Sequence, residues 1–356
     1  MLYIVNTFDY EIFMGQNYVS EEEVLIKPTR KLCQMLCSEG VSSTFFADVL
    51  CPIRYRELGQ ERFPNAFDAQ LRELHELGHD IQLHIHPHWL KATKVCVGGV
   101  IEFDRKYYRI HNWIEKDGDT TPIKVLIKKG KNYLEQILAA IDASYQCIAF
   151  RAGGYCLQPE ELMVPILYEA GIRIDSSVCY GHKYTHDGML YDYTHLPLIY
   201  NQYLTPKHGL QDGLQEKPTG VESLFEVPVW GYRSFPHRAI ASKMNKKISD
   251  VKPTGYGMSI TPAKPVNTLT RIKRIFTAYN MLTFDFFHSD SMVYMINQIS
   301  KSSTCHKKDI FISIISHPKC QSDQHIDNMQ RAIRQLKKIP NVRFVSMKQI
   351  AELKNL

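Results

Sequence analysis

The sequence predicts an α/β fold in which a parallel sheet is built through crossover helices. Short apolar runs rich in Val, Ile and Phe alternate with longer segments of helical periodicity, the pattern of strands buried on both faces. Several of those runs end in a residue able to do chemistry, as expected where strand ends share one face. The chain has 356 residues, 44% apolar and 22% charged, so it can bury a sizeable core, and collagen, coiled coil and disorder are excluded on composition. Units of parallel strands and helices reach about 250 residues and grow by loop insertion. A single domain over 1–356 is expected, with insertions near 90–122 and 179–265, where the rhythm breaks.

Strands are expected near 2–8, 43–49, 80–85, 147–151, 172–175, 224–230, 280–286, 309–316 and 342–346. Each is an apolar run of strand length rather than helix length. Between them the spacing predicts helices over 28–38, 66–77, 123–143, 158–170, 290–301, 324–338 and 347–354. Gly40, Gly78 and Gly171 follow three of these segments, where a glycine can close a helix in the left-handed conformation. The first insertion carries Gly98-Gly99 and Asp117-Gly118, and the second is rich in Tyr, His, Pro and Gly. Neither has the periodic apolar pattern of an independent core, so both are expected to cover one face of the barrel.

Lys and Arg number 43 against 37 Asp and Glu, a formal charge of +6. The positive residues form short separate groups, Lys27 to Lys31, Lys128 to Lys131 and Arg271 to Arg274. With no block of five or six like charges and no nucleic-acid-binding signature, these read as solvated helix faces, and no nucleic-acid partner is expected. Nine cysteines without a CxxC pair read as buried thiols. The chain starts directly on the apolar strand Leu2-Tyr3-Ile4-Val5 without a signal-peptide pattern, which points to a reducing, cytoplasmic setting. No apolar stretch approaches the roughly 18 residues of a membrane span.

The polar strand ends are Asp9 after LYIVNTF, His84 after DIQL, Arg151 after CIAF, Asp175 after IRI and His317 after IFISIIS. In parallel β/α architectures such positions converge, so five distant segments are expected to make one site. The densest segment, GHDIQLHIHPHW, places four histidines in ten residues, from His79 to His88. Neutral imidazole is the commonest metal ligand, and two ligands on one segment need little chain ordering to meet. On a straight strand His84 and His88 would lie about 13 Å apart, so this pair requires a turn, which Pro87 favours. His84 and His86, on one face of an extended segment, are the competing pair. A catalytic zinc site usually has three protein ligands and an open position. The third ligand is expected from Asp9 or Glu11, whose i, i+2 spacing puts both carboxylates on one strand face. One would hold the metal and the other take a proton.

Together the segments TFDYE, GHDIQLHIHPH, FRAGGY and ISHP, in that order over residues 3 to 318, resemble the motifs of the polysaccharide deacetylase superfamily, the carbohydrate esterase group with NodB homology. The resemblance implies a distorted (β/α) barrel of about seven parallel strands, a divalent metal that is usually zinc, and hydrolysis of an N-acetyl or O-acetyl group on a sugar. By position Asp9 matches the family's catalytic base, and His84 and His88 its metal-binding histidines. Tyr10 stands where the common pattern has a second aspartate, so Glu11 is taken as the carboxylate ligand, as in branches with an Asp-x-Glu pattern. Arg151 matches the residue that pairs with the base, and His317 the histidine that protonates the departing amine. Asp175, in IDSSV, fits the fourth motif loosely as an acid for His317. Trp89, Trp230 and Tyr155 follow the same strand ends and would equally stack on sugar rings or pack in the core and loops, so they are not counted as binding residues.

These readings predict a metal-dependent hydrolase that removes an acetyl group from a sugar, an oligosaccharide or a carrier-linked glycan in polysaccharide or surface-glycan synthesis. An amidase for a small non-sugar amide is the rival enzyme, since fold does not fix substrate. A catalytically silent glycan-binding barrel is the rival of a different class.

Overall fold

The computed structural model describes residues 1–93, 102–114, 118–184, 190–194, 196, 202–207, 216–233, 254–258, 267, 279–285 and 289–356. Much of the 179–265 insertion, part of the 90–122 insertion and the Arg271 to Arg274 group lie outside the described residues.

Seven parallel strands form the frame: β1 (Leu2–Tyr10), β2 (Thr44–Asp48), β3 (Asp80–Ile85), β4 (Ala149–Ala152), β5 (Ile174–Asp175), β6 (Leu224–Glu226) and β7 (Ile310–Ser316). Their spatial order is β7-β1-β2-β3-β4-β5-β6. Beyond β6 the chain returns to β7. The Ser313 amide donates to the Pro228 carbonyl at 3.0 Å, and the Trp230 amide donates to the Ser313 carbonyl at 3.3 Å. The sheet therefore curls into the distorted α/β barrel, joined at its last seam by only a few bonds. Gln202–Leu204 adds an antiparallel strand beside β6, and Val342–Phe344 a parallel one beside the start of β1.

Helices Lys27–Ser38, Arg62–Glu76, Thr121–Ala139, Glu160–Glu169, Ser289–Ser300, Asp323–Leu336 and Met347–Lys354 lie close to their expected positions. Among the described residues two α-helices were not foreseen, the short Ser303–Lys307 and Leu50–Glu57. The buried residues of the latter, Leu50, Cys51, Pro52, Ile53 and Tyr55, mark no single stripe, and Pro52 reads as a breaker although the first turn tolerates it. The strand expected over 280–286 is shorter: Tyr279–Met281 pairs antiparallel with Gly231–Arg233, and only Thr283 bridges Ile315 of β7. Among the described residues, no helix is long and apolar enough to cross a membrane. The eight described cysteines are free thiols, buried except for exposed Cys37 and half-buried Cys320.

Strand alternation sorts β1 into two faces. Leu2, Ile4, Phe8 and Tyr10 join the large core between sheet and helices, whereas Val5 joins a smaller cluster with Phe46, Ala149, Ile174, Phe225 and Phe311. That second cluster plugs the lower part of the barrel. Thr7, Asp9 and Glu11 share the face of Val5, so the interior changes from apolar to hydroxylated to charged along the strand direction.

Candidate active site

Arg151 is the pivot of the interior. Fully buried, it stacks its guanidinium over the Phe46 ring at 4.2 Å, on top of the apolar plug. Its Nη1 donates to Asp9 Oδ1 at 2.6 Å and to Thr7 Oγ1 at 3.0 Å. Nη2 donates to the hydroxyls of Ser176 and Ser313 at 2.9 and 3.1 Å, and Nε to the Ser176 carbonyl at 2.9 Å. Every N–H of the guanidinium is thus satisfied, as a buried cation requires. Asp9 is its single anionic partner among the described residues. Burial would raise the Asp9 pKa, but Arg151, then His84 and His317, hold it below the ordinary carboxylate value.

With Oδ1 engaged by Arg151, Asp9 Oδ2 faces His84 Nε2 at 3.9 Å and His317 Nε2 at 3.8 Å. Glu11, two residues on and on the same face, places Oε2 3.3 Å from His84 Nε2 and 2.8 Å from His86 Nε2. Tyr10 between them points into the helical layer, where its hydroxyl donates to Gln70 Oε1 at 2.6 Å. Strand geometry therefore excludes position 10 from the interior and presents 9 and 11 together. His84 Nδ1 donates to the Arg151 carbonyl at 2.8 Å, which fixes the tautomer and leaves Nε2 directed at the carboxylates.

His86 extends the face of β3 beyond its end, and its amide donates to Asp48 Oδ1 at 3.2 Å. Gly153 makes room for it: a Cβ there would lie 2.5 Å from the Ile85 carbonyl oxygen and 2.6 Å from His86 Nδ1. Trp89 Nε1 donates to the other Asp48 oxygen at 2.5 Å, so one buried carboxylate braces the whole turn after β3. Burial pushes the Asp48 pKa up to about 6, against the lowering pull of His86 and His84.

Glu11, His84 and His86 form a group whose ligand atoms all lie within 4.8 Å of one another. Glu11 Oε2 lies at ion-pair distance from His84 and His86, yet Glu11 Oε2 and His84 Nε2 are buried and make no hydrogen bond of normal geometry among the described residues. Such atoms cost stability unless something binds them, and two imidazoles with one carboxylate are a usual donor set for zinc. The residues fit a divalent ion. His88 lies outside this group. The short turn Pro87–Lys91 carries it away, and its ring stacks on Tyr108 at 5.1 Å and packs against Trp89 and Phe103. The structure thus brings together the competing pair of the sequence reading, because i, i+2 on an extended segment keeps two side chains on one face.

His317 reaches the same face from β7. Its Nδ1 lies 2.6 Å from Asp285 Oδ2, and its amide donates to Asp285 Oδ1 at 3.0 Å. The acid that holds His317 is therefore Asp285 and not Asp175. Burial alone would lower the His317 pKa, but Asp285 raises it above the ordinary value. Asp175 accepts instead from the amide and hydroxyl of Ser177, both at 2.8 Å, closing a tight turn. Nothing in the sequence reading singled out Asp285, although it ends the apolar run MLTF as Asp9 ends its own. Lys319 was also missed: its Nζ donates to Glu11 Oε1 at 2.6 Å. Trp89 and Trp230 are fully buried packing residues, not platforms open to a sugar.

Asp175 also has a carboxyl neighbour, Glu226, its partner in the β5–β6 register. Burial raises both pKa values, and for Glu226, well above the ordinary range, the charge of Asp175 adds to it. The folded state then keeps a proton that the unfolded chain releases near pH 4.5, so this pair lowers stability as pH rises above that value. Glu226→Gln removes the titration while keeping a donor for Asp175. We expect a stability gain of the order of 1 kcal/mol at pH 7 that shrinks towards pH 4. Thermal midpoints across that range check it, and an equal or lower midpoint at pH 7 refutes it.

No family model matches the sequence, and no curated protein matches it. Solved structures do. A candidate polysaccharide deacetylase from Mycobacterium smegmatis is 15% identical, with a TM-score of 0.47, over 99% of this chain and 90% of the other. A PuuE allantoinase is 11% identical, with a TM-score of 0.48, over 99% and 89%. A family 4 carbohydrate esterase from Streptomyces lividans in complex with acetate is 13% identical, with a TM-score of 0.27, over 49% and 61%.

Proposed function

We propose that this protein is a metal-dependent hydrolase that removes an acetyl group, in the first place an N-acetyl group, from a sugar or glycan precursor. The observation that carries this reading is the pairing of two carboxylates on one strand face. Glu11 turns Oε2 to His84 and His86 at 3.3 and 2.8 Å, while Asp9 is held ionised by Arg151.

Glu11, His84 and His86 would hold the ion, which when bound supplies a Lewis acid that activates water and polarises a carbonyl. Asp9 takes up a proton at Oδ2, the oxygen that Arg151 leaves free. Arg151 keeps that carboxylate ionised and fixes its orientation. His317, anchored through Nδ1 by Asp285, presents Nε2 3.8 Å from Asp9 Oδ2 and can hand a proton to the leaving amine. Three and four residues past Arg151 the backbone passes through Gly154 and Tyr155, both at φ 60°. This left-handed turn, strained at Tyr155, is where a backbone N–H for the oxyanion is expected. The catalytic side chains are almost fully buried and His317 is the most exposed at 21%, so a small acyl group at the tip of a larger molecule suits the opening better than a chain interior.

The test is acetate release by the zinc-loaded protein from a panel of N-acetyl and O-acetyl sugars, chitooligosaccharides and nucleotide-linked N-acetyl sugars, set against small non-sugar amides. Metal-dependent acetate release from one sugar class is expected. Turnover confined to the small amides would assign an amidase, and no turnover together with tight glycan binding would leave a binding protein.

A further inference from the structure

Lys319 has no part in the chemistry described above, yet it is 6% exposed and directed into the same interior. It follows His317 in the turn Pro318–Cys320. Its Nζ donates to Glu11 Oε1 at 2.6 Å and to the Ile12 carbonyl at 3.2 Å, and lies 5.3 Å from the centre of the Phe13 ring. Three contacts on one ammonium fix its position. They also divide the two oxygens of Glu11: Oε1 is taken by Lys319, and Oε2 alone faces His84 and His86.

Glutamate can bind a divalent ion through one oxygen or two, and zinc sites that do catalysis depend on keeping a position open. We infer that Lys319 is a positioning residue that confines Glu11 to one donor oxygen and so preserves an open coordination position. This rests on the metal site proposed above. A lysine suits the task better than an arginine, because an ammonium is a point donor that occupies one oxygen, whereas a guanidinium fork would engage both. The turn that supplies Lys319 also supplies His317, so a single segment would set both the ligand geometry and the proton donor.

The test uses the full-length protein loaded with cobalt(II), whose visible absorption weakens as coordination number rises. Lys319→Met frees Glu11 Oε1, and a roughly twofold fall in extinction is expected as the second oxygen joins the ion. Should Lys319→Met fail to fold, the wild-type protein decides by infrared difference spectroscopy on adding zinc. A wider splitting of the carboxylate stretches marks one-oxygen ligation, and a narrower splitting marks two. Identical cobalt spectra for wild type and Lys319→Met, or the narrower splitting in wild type, would overturn the inference. Failure of the wild-type protein to bind either metal would overturn the metal site itself, an outcome distinct from both.

Discussion

Replacing Asp9 with Asn is expected to cut acetate release by about 10³-fold while the protein still binds its metal. The two oxygens of Asp9 have different duties. Oδ1 is engaged by Arg151 at 2.6 Å, a bond that an Asn side-chain carbonyl can still accept. Oδ2 stands 3.9 Å from His84 Nε2 and 3.8 Å from His317 Nε2, and there an amide nitrogen takes up no proton. Losing the negative charge beside a buried guanidinium is destabilising, by about 3–5 kcal/mol where nothing else compensates. The hydroxyls of Thr7, Ser176 and Ser313 keep their bonds to Arg151 and limit that cost. Folded fraction should therefore be checked by circular dichroism, and metal content by elemental analysis, beside the rate. Near-normal turnover in a folded, metal-loaded Asp9→Asn protein would remove Asp9 from the role of base.

The second large effect separates two neighbouring histidines. His86→Leu is expected to weaken zinc binding by at least about 100-fold, since a lost ligand should cost no less than a lost outer partner of one. His88→Leu is expected to leave zinc binding stoichiometric. The His88 ring is completely buried among Tyr108, Trp89 and Phe103, and neither of its nitrogens has a hydrogen-bond partner among the described residues. Burial, with His86 beside it, depresses its pKa well below the ordinary histidine value, so it packs as a neutral ring. An apolar residue of similar size then costs little and removes unpaired polar atoms. Zinc titration of both variants against a chromophoric chelator decides the matter. The reverse pattern, with zinc lost on His88→Leu and retained on His86→Leu, would return the site to the i, i+4 pair.

The sequence by itself determined the parallel α/β frame and the meeting of the strand ends Asp9, His84, Arg151 and His317, since both follow from period, although it counted Asp175 with them, whose carboxylate Ser177 takes up instead. Strand-length apolar runs alternate with helical segments, and in a parallel sheet every strand delivers its last residue to the same end. It also put Asp9 and Glu11 on one strand face, a consequence of the two-residue repeat, and the structure turns Tyr10 to the other. The tertiary structure alone decided what lies across the barrel from each group. Which of His86 and His88 faces Glu11 depends on how the chain turns at Pro87, and that turn is held by Asp48 from a neighbouring strand. Asp285 rather than Asp175 holds His317 because Ser177 and Glu226 already occupy Asp175. Lys319 meets Glu11 across 308 residues of chain. Contacts of that kind are set by packing between segments remote in sequence, and no local period encodes them.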